Sequence, residues 1–139
     1  MLVKTDAVIL KSMKYRDTSK IVTLYSKEFG KLKVIAKGAR SAKNKFGASL
    51  DPLTCSHVVL YKKEQRDLHL LSQCDLILPF NRLREDFDRM SVGFSVIELL
   101  NQIVHEEERN EPLYQLLLET LTALNRVRKI IFISCKHSA

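Results

Sequence analysis

Tryptophan is absent, and proline and glycine number only three and four in 139 residues. A charged fraction of 28% and a hydrophobic fraction of 45%, with so few breakers, argue against a disordered or low-complexity chain. The three cysteines, Cys55, Cys74 and Cys135, are widely spaced. With no Cys-x-x-Cys pair, the spacing offers neither a disulfide framework nor a zinc ribbon. Apolar runs are short. The longest, Leu76–Phe80 and Ile130–Ile133, cannot span a bilayer. The opening "MLVKTDAVILK" lacks the apolar run and cleavage site of a signal peptide. These absences predict a soluble cytoplasmic protein with reduced thiols and no membrane contact.

Catalytic chemistry is also missing. The histidines His57, His69, His105 and His137 are scattered. Cys55 and His57 lie one residue apart, which fits a buried Cys beside an exposed His on a strand better than a pair of metal ligands. No Gly-x-x-x-x-Gly-Lys loop is present, and "GARSAK" lacks the phosphate-loop spacing. The run Glu106, Glu107, Glu108 with Glu111 reads as a solvated connection between helices. No nucleophile stands beside a base. The sequence points away from an enzyme, a metal site and a cofactor.

The most informative absence is of one charge sign. "GKLKVIAKGARSAKNKFG", residues 30–47, contains Lys31, Lys33, Lys37, Arg40, Lys43 and Lys45 and no acidic residue. The net charge of +7 is segregated: residues 1–80 carry fifteen Lys or Arg against seven Asp or Glu, and residues 81–139 carry eight against nine. A basic half of this kind draws a protein toward polyanions.

That half reads as strands. In "AVILKSM", Val8 and Leu10 face one way and Ala7, Ile9 and Lys11 the other. "KYRDTSK", Lys14 to Lys20, is polar and predicts a loop; "IVTLYS" is β-branched and aromatic and predicts a strand. "EFGK" turns at Gly30. In "KLKVIAK", Leu32, Val34 and Ala36 alternate with Lys31, Lys33, Ile35 and Lys37, so one face is apolar and the other carries a lysine row. "SHVVLYKK" and "LHLLSQCD" form a second hairpin around "KEQR", and Pro79 closes the region. About five strands at this spacing fit a small barrel or sandwich.

From Asn81 the period changes to three and four. Leu83, Phe87, Met90, Phe94, Ile97 and Leu100 predict one helix capped by Asn81, with Glu85, Asp86 and Asp88 near its positive end. Val92, Val96, Leu99 and Ile103 widen its apolar face, predicting burial around much of its circumference. "HEEERNEP" breaks it. Leu113, Leu117, Leu121 and Leu124 mark a second, antiparallel helix capped by Asn110, with Pro112 in its first turn. The final "KIIFISCKHSA" fits neither period.

A β + α chain follows: a five-stranded OB-fold barrel over residues 1–80, then a short, partial α-helical domain over 81–139. A barrel with a lysine face and basic loops fits nucleic-acid binding, with charge following the backbone and aromatic rings stacking on bases. The available rings are Tyr15, Tyr25, Phe46 and Tyr61; Tyr25 and Phe46 are the expected stackers. Two other readings use the same charge: an RNA-binding OB module, and an adaptor whose basic face docks an acidic protein.

An ordered set of motifs narrows this. "AVIL", "YRDTSKIVTLYS", "GK", "AKGAR" and "FGASLDPL", within residues 5–53, resemble in order and spacing the N-terminal domain of the bacterial RecO recombination-mediator family. "ILPFNRLREDFDRMSVGFSVIELLNQIV" and "EPLYQLLLETLTALN" are similar to its first helices. The resemblance covers about residues 5–125. It implies an OB-fold followed by helices, binding of single- and double-stranded DNA without strong sequence preference, and strand annealing. It also implies partnership with RecR and single-stranded DNA-binding protein, and loading of the RecA recombinase, without a nucleotide cofactor. It assigns DNA contact to Lys31, Lys33, Lys37, Arg40 and Lys43, to which Lys45 is added from the same run. OB-fold loops add Lys14, Arg16 and Lys20 between the first two strands, and Lys62, Lys63 and Arg66 between the last two. RecO proteins are longer, with more helices and often a zinc-holding cysteine cluster. This chain departs from them at "RVRKIIFISCKHSA", which predicts a truncated, frameshifted or unusually short member. Uncovered apolar helix faces then predict self-association or low stability.

Overall fold

The computed structural model describes residues 1–64, 67–105 and 107–127. Five strands, β1 (Leu2–Tyr15), β2 (Ser19–Ser26), β3 (Gly30–Ala36), β4 (Cys55–Tyr61) and β5 (Leu68–Leu78), are followed by α1 (Asn81–Glu85), α2 (Phe87–Ile103) and α3 (Glu111–Arg126). The strands close in the order β1-β2-β3-β5-β4, and only the β3–β5 seam is parallel. This is the expected five-stranded OB-fold barrel with a short helical region. Closure gives every strand a neighbour on both sides, although the β3–β5 seam holds only three residue pairs.

Period two has two consequences, because both faces of β1 find a core. Ala7 and Ile9 point into the barrel with Val22, Leu24, Leu32, Val34 and Leu60. Val8 and Leu10 point outward into a second core with Tyr25, Leu83, Ile97, Leu117 and Leu121. The ladder between β1 and β2 slips between Ile9 and Lys11, a bulge that leaves Leu10 as the extra residue. Helices therefore lie on one half of the barrel's outer surface.

Several expectations change in detail. β1 is twice the length of "AVILKSM", and its ladder with β2 continues through Lys14↔Lys20 and Tyr15↔Ser19. The expected seven-residue loop shrinks to Arg16, Asp17 and Thr18, with Arg16 in the left-handed region at φ 54°. Lys14 and Lys20 are strand residues. The helix predicted from Asn81 is two helices. Asn81 is the first residue of α1 and does not cap it; Phe80, left-handed and buried, precedes it. Asp86 adopts an extended conformation, breaks the run and caps α2 by accepting from the Asp88 amide. Its other oxygen holds the buried Arg89, whose guanidinium also donates to the Leu124 carbonyl oxygen. The buried side of α2 is Arg89, Gly93, Ile97 and Leu100, while Phe87, Phe94, Leu99 and Ile103 are exposed. Burial is narrower than the apolar pattern implies. Asn110 does cap α3, accepting from the Leu113 amide, with Pro112 in the first turn.

The α2–α3 connection is strapped to the barrel. Glu107 accepts from His69 Nε2 (2.7 Å) and pairs with Lys62 (3.3 Å). Arg109 pairs with Glu28, and Glu111 with Lys27. The Glu108 backbone lies where a side chain at position 30 would stand, so only glycine fits there. No helix among the described residues is long and apolar enough to cross a membrane.

Candidate nucleic-acid interface

Two connections meet at one end of the barrel. The Arg40 amide donates to the Thr18 carbonyl oxygen (2.8 Å), and Arg40 Nη1 donates to that of Arg16 (2.9 Å). The segment after β3 is thereby tied to the tip of the β1–β2 hairpin. Lys14, Arg16 and Lys20 join Lys37, Arg40 and Lys43, although more than twenty residues separate the hairpin tip from Arg40 in sequence. The ladder places Lys14 directly opposite Lys20, an arrangement of like charges that disfavours folding and gains from a bound anion. The post-β3 segment holds its shape locally. Asn44 Oδ1 accepts from the amides of Phe46 and Gly47, and the Asn44 amide donates to the Ser41 carbonyl oxygen. Lys45 folds back, its ammonium 5.5 Å from the Phe46 ring centroid.

Lys31 and Lys33 stand further along β3 on the outer face, opposite Tyr25 and Thr23. The Lys31 ammonium is held below the usual lysine range, first by burial and then by Lys33. Lys33 and Lys37 are exposed.

Lys62 belongs to a different environment. It sits at the other end of the barrel beside the β2–β3 turn, paired with Glu107 and 5.7 Å from the Phe29 ring centroid. Lys63 is exposed, and its amide donates to His69 Nδ1 (3.0 Å). Arg66 lies outside the described residues, as does the chain from 128 onward. The structure thus gathers six of the twelve expected basic residues at the hairpin end, keeps Lys45 in the adjoining segment and Lys33 on the outer face of mid-β3, and places Lys31 at the far end of β3 beside the β2–β3 turn, where Lys62 also lies.

The two expected stacking rings are both core. Tyr25 is 0% exposed, with its ring 6.3 Å from that of Tyr114, because the helices cover its half of the outer face. Burial, reinforced by Glu108, pushes its phenol pKa up. Phe46 is 5% exposed and packs into the barrel interior. Neither ring presents a face to a base. Sequence reasoning missed the open half of the same surface, where Met13, Ile21 and Ile35 lie side by side in register between Lys11 and Lys33 on one side and Tyr15 on the other. The signal was the short hairpin turn, which fixes that register.

Carboxylates sort the cations. Among the described residues, Lys27, Lys62, Arg84, Arg89 and Arg109 take the acidic partners. Lys14, Arg16, Lys20, Lys33, Lys37, Arg40 and Lys43 have none. No group of three His, Cys, Asp or Glu among the described residues could hold a metal ion.

Known proteins are similar to this sequence. The family model described as Recombination protein O N terminal matches residues 1–80, and Recombination protein O C terminal matches 84–133. The DNA repair protein RecO of Salinibacter ruber is 42% identical over 124 residues, covering 89% of this chain and 48% of that protein. Those of Chlorobium limicola and Thermoanaerobacter sp. are 39% and 33% identical, over 96% of this chain and 52% and 54% of theirs. The chain spans about half the length of the curated relatives it matches. With both family regions present in order on a five-stranded barrel and its first helices, this chain belongs to the RecO family of DNA repair proteins.

Proposed function

We propose that the chain binds single- and double-stranded DNA, without strong sequence preference, through the hairpin end of the barrel and the outer lysines of β3. Residues 1–80 act as the DNA-binding unit, and 81–139 as the start of a helical domain. This binding serves annealing of complementary strands and loading of RecA, in partnership with RecR and single-stranded DNA-binding protein. The observation that carries the reading is the sorting of charge. Lys27, Lys62 and Arg109, where the α2–α3 connection meets the barrel, are paired with carboxylates, whereas among the described residues the cations at the hairpin end stand together without one. Unpaired cations in a cluster gain by displacing counterions from a polyanion.

The test is fluorescence anisotropy of labelled single and double strands across a salt series. Neutralising about five phosphates of a single strand gives a slope near −3.5 in log K against log salt. The triple variant Lys33→Ala, Lys37→Ala and Lys43→Ala changes exposed side chains only and should flatten that slope by about 2. An unchanged slope moves the site elsewhere. Tighter binding of RNA than of DNA of the same sequence favours an RNA module. No binding of either at low salt removes the nucleic-acid reading.

A further inference from the structure

A cavity of about 330 Å³ lies between Tyr25 of β2 and the connection that joins α2 to α3. Its lining includes Val104, His105, Glu108 and Asn110, and the wholly buried Tyr25 forms its floor. Three features of this cavity call for a cation. The first is a polar atom without a partner. Tyr25 is 0% exposed, and its Oη makes no hydrogen bond among the described residues. The hydroxyl of Tyr114, the ring beside it, lies against Cys55 Sγ instead (3.6 Å). A phenol enclosed with nothing to bond destabilises the fold until something reaches it.

The second feature is a free carboxylate. Along the strap, Glu107 pairs with Lys62 and His69, Arg109 with Glu28, and Glu111 with Lys27. Glu108, between them, pairs with no cation among the described residues, and Lys31, opposite Tyr25 on β3, does not pair with it. Its negative charge reaches the phenol, where it adds to the effect of burial. The third feature is a helix end. The Val104 amide closes α2 on the Leu100 carbonyl oxygen, and the carbonyls after Leu100 have no partner within the helix. They make this end partly negative, yet the last turn of α2 carries no basic residue. The start of α3, on the same cavity, is already served: Asn110 caps it and Glu111 sits in its first turn. The positive helix end has its complement and the negative one does not.

We propose that this cavity binds the head of an alkylguanidinium cation, carried either by a free small molecule or by an arginine side chain of another protein. The acceptors are a carboxylate, a phenol oxygen and helix carbonyls, spread around one space. A guanidinium meets them with five N–H groups fanned out in one plane, whereas an ammonium offers three from a single point. Guanidinium is also the more weakly hydrated, which eases entry into a partly apolar cavity. Glu108 forms the charge-assisted bond, and Tyr25 Oη accepts beneath it. The site stands apart from the hairpin cluster and does not rest on the DNA reading.

The experiment titrates the isotope-labelled 139-residue chain and follows its amide resonances. The probes are agmatine, the tripeptide acetyl-glycyl-arginyl-glycinamide, and urea as a planar molecule without charge. Agmatine should shift the Val104 and Asn110 amides saturably, with a Kd on the order of 1 mM or tighter. Urea should give no saturable shift. Glu108→Gln changes an exposed side chain to its neutral isostere and should weaken agmatine about tenfold. Tyr25→Phe removes one oxygen and should weaken it roughly fivefold. If Tyr25→Phe does not fold, Glu108→Gln alone decides. Saturation by the tripeptide at the same amides supports the site with a protein arginine as its source. Saturation by agmatine alone supports it with a free cation. No saturable shift with either cation overturns the proposal, as does an equal response to urea. Undiminished binding by Glu108→Gln overturns it too, because the cation then lies elsewhere.

Discussion

His69 is wholly enclosed and has a partner on each nitrogen. The Lys63 amide can only donate, so Nδ1 accepts and Nε2 carries the proton toward the Glu107 carboxylate. His69→Leu leaves the amide and the carboxylate without this partner and should cost about 1–3 kcal/mol, read from urea denaturation. Glu107→Gln keeps an acceptor for His69 but releases Lys62. Because Lys62 stands away from the hairpin cluster, the single-strand salt slope should stay at the wild-type value in this variant, read from the same anisotropy titration. Cys55 and Cys74 are buried, and burial, the largest influence on both, pushes their thiols up. Neither should react with a thiol reagent until the chain unfolds, as peptide mapping with and without denaturant will show.

At the scale of elements, two short features hold the helices, one to each other and one to the barrel. Asp86 caps α2 and pairs with Arg89, which also reaches the last turn of α3. Asp86→Ala should lower stability by about 2 kcal/mol, and Asp86→Asn by less, because the amide keeps the cap while losing the charge. The strap between α2 and α3 depends on Gly30, whose φ is 71° and whose missing side chain admits the Glu108 backbone. Gly30→Ala imposes both strain and collision, so it should lower the thermal midpoint by several degrees, equivalent to about 1–3 kcal/mol. Here the sequence was partly legible. Gly30 is recognisable as a turn glycine, but its contact with a segment nearly eighty residues away is visible only once the helices are docked.

Over the whole molecule, charge and apolar surface are distributed in opposite ways. The helices face the barrel with Tyr114, Leu117, Leu121 and Ile97, and turn Phe87, Leu99, Ile103 and Leu116 outward. Phe87 alone is 81% exposed. This much apolar surface on two adjacent helices should drive the chain to self-associate at micromolar concentration, measured by sedimentation velocity as a concentration-dependent mass. The hairpin end carries like charges, which disfavour contact between copies there. Association through the helices should therefore leave the salt slope for DNA unchanged, which a titration at two protein concentrations will check.

The sequence by itself determined the elements and the sign of the surface. Strict alternation in "KLKVIAK" places three lysines of residues 31–37 on one face, because side chains on a strand alternate whatever the fold around them. Ala7 and Ile9, and Val8 and Leu10, separate to two sides for the same reason. Only the tertiary structure decided which outward positions remain open. Tyr25 and Ile21 both face out from β2, four residues apart, yet one lies beneath Tyr114 and the other stands in the uncovered row. The difference comes from where the helices dock, and that depends on the break at Asp86, on Gly30 and on a pairing register set by a three-residue turn. Local periodicity carries a side chain's direction but no information about what lies beyond it. Burial, ion pairing and the row across three strands are properties of residues distant in the chain, brought together by closure of the barrel.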